Sequence, residues 1–147
     1  MAGQAVVTIK DKQWQVSLAI NYLELIQGFS GIPQIASGTG MLFDLGCDTI
    51  FTVTTKEMLF PIDIVRISGA MAVTDVAHNV QPGQLVTSET PARYFLEVNA
   101  GEASSISPSD QAAVKMTASA EPMQIDISGL AVTLLAMALM ASMVSVL

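Results

Sequence analysis

At 147 residues, with 51% hydrophobic and 13% charged, the chain is about one domain long and too apolar and charge-poor for a disordered one. A net charge of −7 leaves nothing to neutralise a row of phosphates, so nucleic acid is not an expected partner. The single cysteine, Cys47, excludes an intrachain disulfide and a multi-thiolate site, and with only one histidine beside it neither a metal nor another cofactor is expected.

From the N-terminus, Gln4–Ile9 and Gln13–Leu18 read as β-prone runs joined by the polar turn Lys10-Asp11-Lys12, a hairpin signal. Alternation puts Trp14, Val16 and Leu18 on one face of the second run. Asn21 is placed to cap a short helix, YLELIQ, that Gly28 would stop. Phe29 to Thr39 is rich in Gly, Ser, Pro and Thr and reads as a loop. Further strands are expected at Met41–Phe43, Thr49–Thr54, Ile62–Ile67, Met71–Val76, Gln84–Thr87 and Tyr94–Val98, with turns at Ser68-Gly69-Ala70 and Gln81-Pro82-Gly83. A helical turn around Glu102–Ser105 and a strand near Ala112–Ala118 complete a body over residues 1–117, and residues 118–126 form a linker.

Residues 127–147 carry no charge, proline, asparagine or glutamine. As a helix at about 1.5 Å per residue they would span roughly 31 Å, the thickness of a bilayer core. Apolar residues lie all round this cylinder, so the segment needs lipid or sister chains around it. Small residues are frequent, and Gly129, Ala131, Ala138, Ser142 and Ser145 are the expected helix-packing positions. Ala131, Ala138 and Ser145 recur every seven residues and form one stripe where backbones can approach closely. The N-terminus has no basic start followed by an apolar run, so the hydrophobic segment is expected as a C-terminal tail anchor or assembly helix. No basic residue follows it, which leaves the side of the membrane open.

Four ordered pieces resemble the DUF192 family. They are Gly40-Met41-Leu42-Phe43; Lys56 followed by Phe60-Pro61-Ile62-Asp63-Ile64; His78-Asn79-Val80 with Pro82; and Pro91-Ala92-Arg93-Tyr94-Phe95-Leu96-Glu97-Val98-Asn99-Ala100-Gly101. The resemblance spans residues 5 to 115 and implies an α+β, mostly β, compact barrel-like domain with short helices. The chain departs from it in three places. An aromatic-Trp-Met-Lys-Asn-Thr stretch is replaced by Val53, Thr54, Thr55, Lys56, Glu57 and Met58. An arginine-glycine-leucine-methionine element becomes Gln27-Gly28-Phe29-Ser30, losing a positive charge, and a late glycine becomes Ser109. A family ligand site near the missing Trp and Asn would be lost here.

Lys56, Asp63, His78, Arg93 and Glu97 are the candidate polar or ligand-contacting residues, and no catalytic residue is assigned. Lys56 and Asp63, at odd spacing, fall on opposite faces of a strand unless a bulge intervenes. Asp63 lies among Ile62, Ile64 and Val65, where a buried carboxylate needs backbone N–H donors. His78 is the only histidine and so a candidate for acid–base work, but His78-Asn79 before Pro82-Gly83 is more simply turn chemistry. Arg93 and Glu97 share a face opposite Tyr94, Leu96 and Val98. That pattern holds Glu97 near the outer surface, open to a neighbouring copy or to an ion pair with Arg93. The expectation is a non-enzymatic structural subunit, the domain displayed on a helix that drives homo-oligomeric assembly in a membrane, coat or filament. Its location would be membrane-associated or within an extracellular or virion-like assembly. A monomeric tail-anchored module that binds a small ligand or a protein is the alternative, and an enzyme using Lys56, Asp63 or His78 comes third.

Overall fold

The computed structural model describes residues 3–118. All of the expected linker but Ala118, which ends the last strand, and the apolar segment at 127–147, with its packing positions Gly129, Ala131, Ala138, Ser142 and Ser145, lie outside the described residues. Among those described, no helix is long and apolar enough to cross a membrane.

The chain opens as a hairpin, β1 (Gln4–Ile9) against β2 (Lys12–Ala19), with Ile9 opposite Lys12 and Val7 opposite Trp14. Lys10 takes the left-handed backbone of the turn (φ 55). Helix α1 (Tyr22–Gln27) begins with a capping box: Glu24 N–H donates to Asn21 Oδ1 at 3.0 Å, and the Glu24 carboxylate accepts from Ile20 and Asn21 N–H. Gly28, at φ 46, ends it. After the loop come β3 (Thr39–Thr49), β4 (Thr52–Thr54), β5 (Ile62–Ile67), β6 (Val73–Val80), β7 (Leu85–Thr87), β8 (Ala92–Asn99) and β9 (Ala112–Ala118). Residues 100–105 form turns in place of the helical turn expected at Glu102–Ser105.

Seven strands make one mixed sheet in the order β6-β5-β8-β3-β2-β1-β9, and β4 pairs with β7 separately. Only the β2–β3 neighbours run parallel. The sheet curls until the lead-in to β6 meets the lead-in to β9 at one bridge, Ala72 with Gln111. A closed barrel needs a continuous ladder between its first and last strands. Beside that bridge the edges share three backbone hydrogen bonds, Val73 N–H to Asp110, Ser109 N–H to Val73 and Ala112 N–H to Met71, but no strand ladder, so the barrel-like expectation is corrected to an open curled sheet.

Both faces of the central strands are covered, which is why all of β5 is buried. On β8, Leu96 and Val98 join Trp14, Leu42, Val65 and Ile67 in one core. Phe95 points the other way, into a second core with Phe29, Phe43, Val53, Met58, Phe60, Ile62 and Ile64. Within it the rings of Phe43 and Phe95 stack at 4.1 Å between centroids. Segment 28–35 and strand β4 close this second face, so α1 sits above a part of the sheet that alternation alone would assign to solvent.

A candidate binding pocket floored by Glu97

The five candidate polar residues do not form one site. Lys56 lies exposed in the turn after β4, away from Asp63. Asp63 is fully buried on β5. Its Oδ1 accepts from Asn79 N–H at 2.8 Å, and its Oδ2 accepts from Gly101 and Ala103 N–H at 2.9 and 3.0 Å. The carboxylate therefore ties the start of the 100–105 turns and the β6 end to the central strand. Asn79 meets it through a left-handed backbone (φ 50), a geometry asparagine tolerates. His78 Nδ1 comes within 3.9 Å of Asp63 Oδ2, beyond hydrogen-bond distance, with its side chain half exposed.

Arg93 and Glu97 share a face as alternation requires, but four residues of strand span about 13 Å, too far for an ion pair. Arg93 instead makes a two-point contact with Asp44 on β3, at 2.9 and 3.1 Å, and its guanidinium lies over the Tyr94 ring. The hydrogen bond from Arg93 holds the Asp44 carboxyl below its usual range.

Glu97 is not at the outer surface. It is 5% exposed, facing the second core opposite Met41 of β3 and Ile64 of β5. Its Oε2 is buried without a hydrogen-bond partner among the described residues. Burial in these apolar surroundings pushes its pKa up to about 8. The surface expectation failed because α1 and segment 28–35 cover this face.

Glu97 contributes to a cavity of about 230 Å³ between α1 and β4. Phe43 and Phe95 lie beside it; Leu25, Ile26, Gln27, Gly28, Phe29 and Ser30 form one wall, and Thr52, Val53, Thr54 and Met58 the other. A Cβ placed on Gly28 would stand 3.8 Å from Glu97 Oε2 and 3.2 Å from Phe43, so glycine lets the end of α1 settle onto the carboxyl. The segments that depart from the family pattern, Gln27-Gly28-Phe29-Ser30 and Val53 to Met58, supply most of these walls. The substitutions change the lining of a cavity that is still present. Sequence reasoning missed Gly28, Phe29, Phe43 and Phe95 as pocket residues; the adjoining departures at 27–30 and 53–58 were the available signal.

A larger depression of about 510 Å³ crosses β1, β2 and the start of β3, and among the described residues no titratable side chain lines it. Among the described residues, no group of three or more His, Cys, Asp or Glu converges as a metal site. Cys47 is exposed and unbonded.

The chain belongs to the DUF192 family, described as Uncharacterized ACR, whose sequence model matches residues 5–116. Its fold is similar to a crystal structure from Sinorhizobium meliloti 1021 described as a "putative transcription regulator". The two are 25% identical with a TM-score of 0.71, over 78% of this chain and 94% of that one. It is also similar to a protein of unknown function from Novosphingobium aromaticivorans DSM 12444, 22% identical with a TM-score of 0.67, over 75% of this chain and 83% of that one. No curated protein matches the sequence.

Proposed function

We propose that the domain is a non-enzymatic module that binds a small ligand in the pocket between α1 and β4, carried on the apolar segment at 127–147. The observation behind this reading is the cavity itself, apolar-walled and containing one buried polar group with an unmet hydrogen bond. Small-molecule sites commonly combine a mostly apolar lining with a few placed polar groups. The test is a titration of the full-length chain with compact aromatic compounds, followed by NMR. At least one compound should shift resonances of residues 25–30, 52–58 and 95–97, and Thr54→Trp at the rim should block it. If no compound perturbs those residues, the binding reading is wrong.

A second reading, self-assembly through the C-terminal segment, is favoured by the charge-free run at 127–147 and its small-residue stripe. Here the domain is displayed by a homo-oligomer in a membrane, coat or filament. Ala138→Phe in the full-length chain should then lower the oligomeric state seen by sedimentation, and an unchanged assembly would leave the segment a passive tether.

A further inference from the structure

The pocket combines three features that restrict its ligand. Its volume of about 230 Å³ lies below the roughly 300–1,000 Å³ usual for small-molecule sites, so the ligand is compact. Three phenylalanine side chains, Phe29, Phe43 and Phe95, line it, with Phe43 and Phe95 stacked on each other, so the ligand's body is apolar. Among the described residues, Glu97 is the only ionisable side chain in the lining, and its Oε2 has no hydrogen-bond partner. A carboxylate or phosphate ligand would set a second negative charge beside it, in a chain whose net charge is already −7.

We propose that the pocket takes a small organic monocation, an ammonium group on a compact apolar body, with the Glu97 carboxylate as its counter-ion. This rests on the binding-module reading and names its ligand class. Entry of the cation ionises Glu97 and sends its proton to solvent.

The charged groups on neighbouring elements already have partners, though Arg66 Nε has none among the described residues. On β3, Asp44 is held by Arg93; on β5, Arg66 donates to Asp75 and to the Val86 carbonyl, while Asp63 lies on the opposite face. At the start of α1, Glu24 is tied to the Ile20 and Asn21 amides. β4 carries no charge, and Lys56 and Glu57 beyond it are exposed. Glu97 is thus the group whose ionisation the ligand would control, and because its pKa stands near 8, affinity for the cation should climb as pH rises toward that value.

The experiment is a calorimetric titration of the full-length chain with benzylammonium and, as the uncharged match, benzyl alcohol. At pH 8 benzylammonium should bind at least tenfold more tightly than the alcohol, and its affinity should rise by up to tenfold per pH unit from pH 6 to 8. Glu97→Gln should weaken benzylammonium at least tenfold and leave the alcohol unchanged. Gln27→Lys, which sets an ammonium group in the same pocket, should also exclude the added cation. If the two compounds bind equally, or Glu97→Gln leaves benzylammonium binding intact, the cation assignment is overturned while the binding module stands. If neither compound binds in the pocket, both fall together.

Discussion

Replacing Glu97 with glutamine should stabilise the protein at neutral pH, the reverse of most buried substitutions. The carboxyl ionises near 4.5 in an unfolded chain, but burial holds its folded pKa near 8. Between those values the unfolded state gives up the proton and the folded state keeps it. Unfolding then releases a proton, so stability falls as pH rises, by about 1.4 kcal/mol per pH unit from 4.5 until it levels near 8. At pH 7 the penalty reaches about 3 kcal/mol. Glutamine has nearly the same shape and cannot ionise, so the stability gain should be near zero at pH 4, about 3 kcal/mol at pH 7 and flat above pH 8. Urea unfolding of both proteins without ligand reads this directly. With a slope of about 2 kcal/mol per molar, the variant's midpoint should move up by about 1.5 M at pH 7. Asp44 and Asp110, whose pKa values are lowered, lose their stabilising contributions as pH falls, but they do so in both proteins and cancel in the difference. Parallel stability curves across pH 4 to 8 would refute the argument.

Asp63→Asn should destabilise the fold by about 2–4 kcal/mol, because an amide turns N–H groups toward backbone donors that now share a carboxylate at 2.8–3.0 Å. A loss below about 1 kcal/mol in chemical denaturation would show that these contacts do not anchor the 100–105 turns. Ser109 holds a left-handed backbone at φ 76 while its N–H donates to the Val73 carbonyl. Ser109→Gly keeps that hydrogen bond, relieves the backbone and should raise stability by about 0.5–1 kcal/mol; a fall in unfolding midpoint contradicts this.

Local rules located the elements whose signals are local. The Asn21–Glu24 box and Gly28 bound α1 as expected, because capping is settled within one turn. The expected ranges Gln4–Ile9, Ile62–Ile67 and Ala112–Ala118 coincide with β1, β5 and β9. Met71 was placed in a strand, but its backbone is left-handed (φ 66) within the bend leading into β6. The departure at Ser109 falls on a positive-φ position, which explains why glycine suits that place. The longest errors were topological. Alternation on β8 assigned Arg93 and Glu97 to one face correctly, yet periodicity does not say whether a face meets water. That depends on where α1 and segment 28–35 fold back, a long-range event absent from the eight residues of β8. The open sheet was hidden for a similar reason: closure depends on whether β6 and β9 pair, and they lie at opposite ends of the strand order.

Asp63 and Glu97 provide an internal comparison, since both are buried carboxyls on neighbouring central strands. Asp63 points toward three backbone donors and fills its surroundings; its placement is explained by the hydrogen bonds it makes. Glu97 has the same burial without that compensation, and it borders empty volume. Burying an ionisable group against apolar walls lowers stability, and an apolar residue of similar size would avoid the penalty. Asp63 therefore needs no ligand to account for it. Glu97 leaves an unmet interaction inside a cavity, and a bound cation is the occupant whose charge and size answer both features at once.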